Sequence, residues 1–218
     1  MAMKMIMSRA ATIMQKKQEL MQPFKYLLVM DFEATCEKDI PINQPEIIEF
    51  PCLAVNTGNW EVESIFHRYV KPKVNPILTN FCTDLTGIMQ ETIDDESHFP
   101  DVFDEFQHWF EWNGYNEEEK KSAFVTCGDW DLKVMLPSQC AIDNIPIPHY
   151  LKKWINLKTS YCDATQHYPR SLRDMLTRLN ITAEGRMHSG LHDSTNMVKI
   201  LETLAKKHNA VFNINGSN

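Results

Sequence analysis

The sequence lacks the segments that define several large classes of protein. No apolar stretch approaches the ~20 residues of a membrane span, no internal repeat or Gly/Ser linker divides the chain, and no CxxC pair or histidine spacing suggests a zinc finger. Hydrophobic residues make up 43% and charged residues 23% of the 218, which excludes a mostly disordered chain, a collagen and a disulfide-dense miniprotein. We therefore expect one globular domain whose six cysteines are buried free thiols in a reducing compartment.

Charge is unevenly distributed along the chain. The net charge of −7 gives no general reason to expect binding to nucleic acid or to an acidic membrane. Residues 84–119, however, contain twelve acidic residues and no Lys or Arg, whereas residues 149–178 contain six basic residues and two acidic ones. A local positive field can bind a polyanion on a protein that is acidic overall. The acidic stretch is also compatible with a protein-interaction surface.

The first residues differ in composition from the rest. Residues 1–18 carry four basic and no acidic residues, and their longest uncharged stretch, 10–15, is too short for a secretory signal. We interpret residues 1–22 as a basic N-terminal arm, 23–215 as the folded domain and 216–218 as a tail. A mitochondrial presequence is the alternative for the arm. Otherwise we expect an intracellular protein, cytoplasmic and/or nuclear, without membrane contact.

Hydrophobic patterns predict a mixture of strands and helices. The continuous apolar run at 26–30 is typical of a central strand that is buried on both faces. Pro51 predicts a break in the second strand, 47–55. The other predicted elements are strands at 62–70, 123–127 and 211–214 and helices at 80–88, 99–112, 129–140, 171–179 and 194–208. This order predicts an α/β domain with one sheet and helices packed on it.

Acidic residues follow two of the predicted strands. Asp31 and Glu33 follow the first strand, on one side of it, at the sheet edge where α/β proteins bind ligands. A solvated strand end is the alternative interpretation. Asp129 and Asp131 follow the fourth strand, and we expect one of them to cap a helix and the other to be functional.

A third cluster lies near the last helix, in the sequence HSGLHD at 188–193. Gly190 suggests that His188 lies on a loop and Asp193 in or near the first helical turn; a surface-loop histidine is the alternative. Carboxylates suit hard cations such as Mg²⁺, and a pair of these ions clamps the two oxygens of a phosphoryl displacement. Histidine, which titrates near neutral pH, can take the proton of an attacking water.

Six motifs then occur in an ordered series: DFEATC at 31–36, QPEIIEFP at 44–51, LTGI at 85–88, GDWD at 128–131, KKWINLK at 152–158 and HSGLHD at 188–193. Over roughly residues 24–215 the chain resembles the DEDDh 3′→5′ exonucleases of the DnaQ-like, ribonuclease-H-fold superfamily. Within them it resembles the enhanced-RNAi / 3′ histone-mRNA exonuclease and Snipper-like subfamily. The resemblance implies a ribonuclease-H-like mixed five-stranded sheet with helices on both faces, in a single domain.

The resemblance also implies roles for individual residues. Two Mg²⁺ ions, which Mn²⁺ can replace, would be held by Asp31, Glu33, Asp131 and Asp193. His188 would be the general base, Glu33 would also be catalytic, and Asp129 would be the capping residue. The terminal nucleotide would contact Ala34, Leu85 as a wedge, Thr86 and Trp130, although Trp130 is equally compatible with a core position.

The implied activity is 3′→5′ hydrolysis of RNA to 5′-mononucleotides, on single-stranded or 3′-overhang substrates. A DNA-preferring nuclease and a nucleic-acid-binding adaptor are the alternatives. No SAP domain for histone stem-loops fits in the first 22 residues, so we expect a broader range of substrates. From the charge distribution, we expect Lys152 and Lys153 to contact the nucleic-acid backbone, with Trp154, Tyr161 and Tyr168 as stacking or core residues.

Overall fold

A computed structural model describes residues 21–40, 42–118 and 121–218. The strands are β1 (Tyr26–Met30), β2 (Glu33–Ala34), β3 (Ile47–Asn56), β4 (Glu61–Tyr69), β5 (Ser122–Thr126), β6 (Lys153–Asn156) and β7 (Gly216–Ser217). The helices are α1 (Asn80–Thr86), α2 (Gln90–Ile93), α3 (Phe99–Trp112), α4 (Leu136–Asp143), α5 (Leu157–Thr165), α6 (Leu172–Arg178) and α7 (Gly190–His208). A π-helical turn (Asp131–Met135) precedes α4, and a 3₁₀ turn (His149–Lys152) precedes β6.

The strands of the described residues form one mixed sheet. β4 pairs with one side of β3, and β1 and β2 pair antiparallel with its other side. β1, β5 and β6 are mutually parallel, and β7 closes the sheet antiparallel to β6. Five strands have four or more residues, in agreement with the five-stranded sheet that we expected, and two strands of two residues each extend it.

Helices cover both faces of this sheet, as the family resemblance implied. Alternate residues of β1 point to opposite faces, so Leu28 and Met30 pack with α3 and α4, whereas Leu27 and Val29 pack with α5, α6 and α7. All five residues of β1 are buried, because helices lie above and below it. Among the helices of the described residues, none combines the length and the apolar composition that crossing a bilayer requires.

The predicted break near Pro51 is wrong. β3 runs without interruption, and its irregular register falls later, between Ala54 and Val55. β1 ends opposite Cys52 and β2 begins opposite Glu49, so Pro51 faces the interval between these two strands. Proline is tolerated there because the ladder has no partner on that side.

The folded body extends past both of the boundaries that we expected. The side chain of Gln22 donates to the carbonyl of Ala210 at 2.9 Å and accepts from the Phe212 N–H at 3.0 Å, so this residue is not part of an arm. The expected strand at 211–214 is absent from the described structure, and residues 216–217 form β7 instead of a tail. Gly216 lies so close to the Trp154 ring that a Cβ atom would be 2.2 Å from its Nε1, which favours glycine. Residues 1–20 lie outside the described residues.

Candidate active site

The candidate site lies at the carboxyl edge of the parallel strands. Asp31 directly follows β1, and Asp131 begins the π-helical turn that follows β5. Because β1 and β5 are parallel neighbours, these two ends meet at the same edge, where open α/β sheets bind ligands. The sequence predicted a single helix at 129–140, but the structure has a π turn that is followed by α4. Pro137, at the start of α4, has no N–H to donate to the preceding turn.

A hydrogen bond joins the DFEATC and GDWD motifs. The backbone N–H of Phe32, between Asp31 and Glu33, donates to Oδ1 of Asp131 at 2.9 Å. This contact holds the start of the π turn against the segment that connects β1 to β2. Asp31, Glu33 and Asp131 thereby become neighbours, as the sequence predicted.

The fourth carboxylate comes from α7, which packs against β1 and β3. Its first residue, Gly190, lies so close to β1 that a Cβ atom would be 2.4 Å from the carbonyl oxygen of Asp31. Only glycine allows this approach, which brings Asp193, in the first turn of α7, to the other three acids. Asp193 Oδ2 accepts the backbone N–H of His188 at 2.8 Å.

Burial and mutual repulsion disfavour the charged forms of these acids. Burial, followed by the charges of Asp131, Glu33 and Asp193, raises the pKa of Asp31 well above its usual range. Burial and the nearby charge of Glu49 raise the pKa of Glu33 from 4.5 to about 8. Burial raises the pKa of Asp131 to about 6 and also raises that of Asp193. A cation among them would remove this penalty.

The donor set fits a divalent cation. One ligand atom each of Glu33, His188 and Asp193 lie within 4.8 Å of one another. Oδ1 of Asp193 is buried and has no hydrogen-bond partner among the described residues, which is costly for a carboxylate oxygen unless something else binds it. Clustered carboxylate oxygens of this kind are the ligands that Mg²⁺, Mn²⁺ and Ca²⁺ prefer.

His188 lies on the loop before α7, as predicted, and is exposed to solvent. Its backbone has a φ of 62°, in the left-handed region that a residue other than glycine or asparagine rarely adopts. The hydrogen bond to Asp193 holds this conformation and leaves the imidazole beside Glu33 and Asp193. The arrangement places a titratable nitrogen at the open side of the acidic cluster.

Asp129 does not cap a helix, in contrast to our expectation. Its Oδ1 accepts from Trp154 Nε1 at 3.0 Å and from Asn156 Nδ2 at 2.9 Å, so it fastens the segment before the π turn to β6. It therefore has a structural function, but through side chains of the neighbouring strand.

The predicted nucleotide contacts differ in their availability. Trp130 is 46% exposed, which excludes a core position. Leu85 is half-buried at the end of α1, and Ala34 is buried in β2. The hydroxyl proton of Thr86 is not available to a ligand, because it is donated to the Cys82 carbonyl, and the same oxygen accepts from the Ile88 N–H.

The predicted nucleic-acid backbone contacts lie away from the acidic cluster, and their contact with the strand stays a prediction. Lys152 and Lys153 lie at the amino end of β6, whereas the carboxylates lie at the carboxyl edge. Trp154 and Tyr161 are buried in the two cores, so they cannot stack on bases, and only Tyr168 of the three predicted aromatic residues is exposed. Lys158, in the first turn of α5, is the lysine of this motif that lies at the carboxyl edge; its N–H donates to the Cys127 carbonyl.

Sequence reasoning missed Glu49 and His67. Glu49 is a buried carboxylate in β3 that lies opposite Glu33, and it accepts from His67 Nε2 at 2.9 Å. The available signal was a charged residue inside the otherwise apolar strand IIEFPCLAV, because a buried acid needs partners.

Comparisons with known proteins agree with this geometry. Residues 28–201 match the RNase_T family, described as exonuclease. ERI1 exoribonuclease 3 of Homo sapiens is 48% identical over 185 residues, which are 84% of this chain and 55% of that protein. 3′-5′ exoribonuclease 1 of Homo sapiens is 38% identical over 197 residues, which are 85% of this chain and 56% of that protein. The chain thus spans about half the length of these curated relatives.

Solved structures give the same result. The nuclease domain of 3′hExo, a DEDDh family member bound to rAMP, has a TM-score of 0.84 and 35% identity, covering 90% of this chain and 98% of that one. Cell-death related nuclease 4 has a TM-score of 0.82 and 30% identity, and the match covers 89% of this chain and 69% of that one. The chain therefore belongs to the exonuclease family, among its DEDDh members of the ERI1 type.

Proposed function

We propose that this chain hydrolyses the phosphodiester bonds of RNA from the 3′ end and releases 5′-mononucleotides. The observation that carries the proposal is the meeting of four acids and one loop histidine at a single sheet edge. The names of the relatives, which are exoribonucleases, and the rAMP bound to the 3′hExo nuclease domain support RNA as the substrate. We expect an intracellular, reducing location, since all six cysteines are free thiols.

The family and the acidic cluster imply divalent metal ions. We propose two Mg²⁺ ions, which Mn²⁺ can replace, because all four acids offer hard oxygen ligands. Asp31, Glu33, Asp131 and Asp193 would hold them. When bound, the ions would supply an activated water and stabilise the charge on the attacked phosphate.

His188 is proposed as the group that accepts the proton of the attacking water. Its exposed position beside Glu33 and Asp193 lets it collect that proton at the cluster and pass it to solvent. Water adds to phosphorus and the bond to the 3′ oxygen breaks. This oxygen takes up a proton from solvent, which leaves a 3′-hydroxyl on the shortened strand and a free 5′-mononucleotide. Asp193 contributes by holding the backbone of His188 in its strained conformation.

The terminal nucleotide would lie between α1 and the π turn. Leu85 is proposed as the wedge against the last base, the backbone of Ala34 as a polar contact and Trp130 as a stacking platform. An exposed indole can stack on any unpaired base for about 1–3 kcal/mol, so these contacts favour a single-stranded 3′ end over a paired one.

The test uses RNA and DNA oligonucleotides of one sequence, labelled at either end, with Mg²⁺, with Mn²⁺ and with EDTA. We expect 5′-labelled RNA to shorten one nucleotide at a time and 3′-labelled RNA to yield a labelled mononucleotide at once, in either metal but not in EDTA. Faster degradation of DNA would favour the DNA-preferring alternative. Binding without degradation in either metal would favour the adaptor and overturn the proposal.

A further inference from the structure

A fifth carboxylate, Glu49, lies buried beside the acidic cluster and has none of the functions described above. It is 1% exposed, and its position in β3 is directly opposite Glu33 in β2. Its Oε2 accepts the backbone N–H of Gly190 at 2.8 Å. Its Oε1 accepts the N–H of Leu191 at 3.2 Å and Nε2 of His67 at 2.9 Å.

These contacts separate Glu49 from the four acids of the cluster. Both of its oxygens already accept hydrogen bonds, whereas Oδ1 of Asp193 accepts none within the described structure. Glu49 binds the first two residues of α7, whose N–H groups have no partner within the helix. A negative charge at this end of a helix is also favoured by the helix dipole.

The first turn of α7 connects Glu49 to the residues of the proposed reaction. The backbone N–H of Asp193 donates to the Ser189 carbonyl within this turn, and the side chain of Asp193 holds the backbone of His188. The same turn is pressed against β1 by the close approach of Gly190 to the Asp31 carbonyl. A shift of the helix start would therefore move Asp193 and His188 together, relative to Asp31.

We propose that Glu49, supported by His67, is a positioning residue that fixes the start of α7 and thereby sets Asp193 and His188 against Asp31 and Glu33. The inference rests on the proposed function, because it assigns to Glu49 an effect on catalysis. Residues that orient metal ligands typically affect metal affinity or activity by about 10–100-fold.

The chain offers a matched control in Glu46. This residue is also 1% exposed and also accepts backbone N–H groups, those of Lys73, Val74 and Asn75 at 2.6–2.8 Å. It holds the loop at residues 73–75, and within the described structure its side chain makes no hydrogen bond to α7 or to the four acids. Glu46→Gln therefore removes a buried, backbone-binding carboxylate without touching the helix that carries Asp193.

The experiment compares Glu49→Gln and Glu46→Gln with the wild type in kcat and KM on single-stranded RNA, in Mn²⁺ affinity by calorimetry, and in melting temperature. Glutamine retains one acceptor but presents an amide N–H₂ group to the second donor. We expect Glu49→Gln to lower kcat and Mn²⁺ affinity by at least about 10-fold with KM nearly unchanged, because misplaced ligands impair the chemical step rather than substrate binding. Glu46→Gln is expected to lower the melting temperature but to keep kcat and Mn²⁺ affinity.

The inference would be overturned if Glu49→Gln kept the kcat and Mn²⁺ affinity of the wild type. It would also be overturned if Glu49→Gln and Glu46→Gln lost kcat and Mn²⁺ affinity to the same extent. If Glu49→Gln does not fold, His67→Gln decides: a several-fold loss of both quantities supports the inference and wild-type values reject it. If the wild type itself does not degrade RNA, the proposed function fails, and the Mn²⁺ measurement still decides whether Glu49 positions Asp193.

Discussion

At the scale of single residues, hydrogen bonds separate two aspartates that stand two positions apart. Asp131 is buried and accepts from the N–H of Phe32, between Asp31 and Glu33. Asp129 accepts from Trp154 and Asn156 and so ties its segment to β6. Residue type and spacing do not distinguish the two acids, but their partners do.

These partners predict opposite results for two conservative variants. Asp131→Asn is expected to remove nearly all nuclease activity, because an amide cannot supply the negative charge that a metal ion binds. Its melting temperature should stay the same or rise, since the substitution relieves repulsion within the cluster. Asp129→Asn should keep most of the activity. Degradation of labelled RNA measures the activity of each variant, and thermal melting measures its stability. An active Asp131→Asn together with an inactive Asp129→Asn would contradict the assignment.

His188 allows a test of the proton acceptor. General-base assistance is typically worth about 10²–10⁴-fold in rate, so His188→Ala is expected to lose activity within this range. Mn²⁺ affinity should remain largely intact, because the four acids are unchanged. Rates of the two proteins at several pH values between 6 and 8 provide the measurement; equal rates throughout would exclude His188 and direct attention to His192.

The sequence predicted Asp31, Glu33, Asp131, Asp193 and His188 as one cluster because each stands at the end of a recognisable element or motif, and their functions stay predictions. It could not identify the partners of Glu49, since Gly190 and His67 are distant from it along the chain. It also could not decide the exposure of Trp154, which depends on the strand β7 that covers its ring. Burial of a single aromatic residue is a property of its neighbours, which local patterns do not specify.

At the scale of elements, periodicity determined what could be predicted. α3 has the predicted bounds because its aromatic stripe repeats over 14 residues. β6 and α5 were missed: the strand has four residues, and Asn156 both ends it and caps the helix by accepting the N–H of Thr159. A strand of four residues is too short to show a hydrophobic period. The lysines beside it therefore contributed to the sequence analysis only through their charge.

The lysines at the two ends of β6 lead to the next prediction. Lys158 lies at the carboxyl edge with the acidic cluster, whereas Lys152 and Lys153 lie at the opposite end. We expect Lys158→Met to raise KM for both a trinucleotide and a long RNA. The combined substitution Lys152→Glu and Lys153→Glu should raise KM only for the long RNA, because a short strand cannot reach these residues.

Neither change should alter kcat much, since phosphate contacts of this kind are equal in the ground and transition states. Binding measured against salt concentration gives an independent check, because each lost contact flattens the logarithmic slope by about 0.7 on a single strand. If Lys158→Met leaves KM and this slope unchanged on both substrates, the nucleic acid does not pass this end of β6.

At the scale of the whole molecule, the acidic cluster opposes folding when no cation is bound. In the folded protein the pKa of Glu33 is raised from its ordinary value of 4.5 to about 8. Between these pH values the unfolded chain releases a proton that the folded chain retains. The free energy of unfolding therefore falls as the pH rises through this window.

This linkage predicts a pH-dependent gain for one variant. In EDTA, the melting temperature of Glu33→Gln minus that of the wild type is expected to grow from pH 5 to pH 8, because the variant no longer has the acid that resists ionisation. Added Mg²⁺ should raise the wild-type melting temperature more at pH 8 than at pH 5, since metal binding requires ionised carboxylates. A difference that shrinks with pH in EDTA would contradict the raised pKa of Glu33.

The docking of α7 on β1 has a consequence for protein synthesis. Asp31 and Asp193 are 162 residues apart (193 − 31), so at roughly 5–20 residues per second the ribosome adds Asp193 about 8–32 s after Asp31. Throughout this interval the nascent chain has the first strand but not the helix that completes the cluster. A nascent chain of this protein thus lacks the complete acidic cluster, and with it the proposed nuclease activity, until its last long helix has emerged and packed.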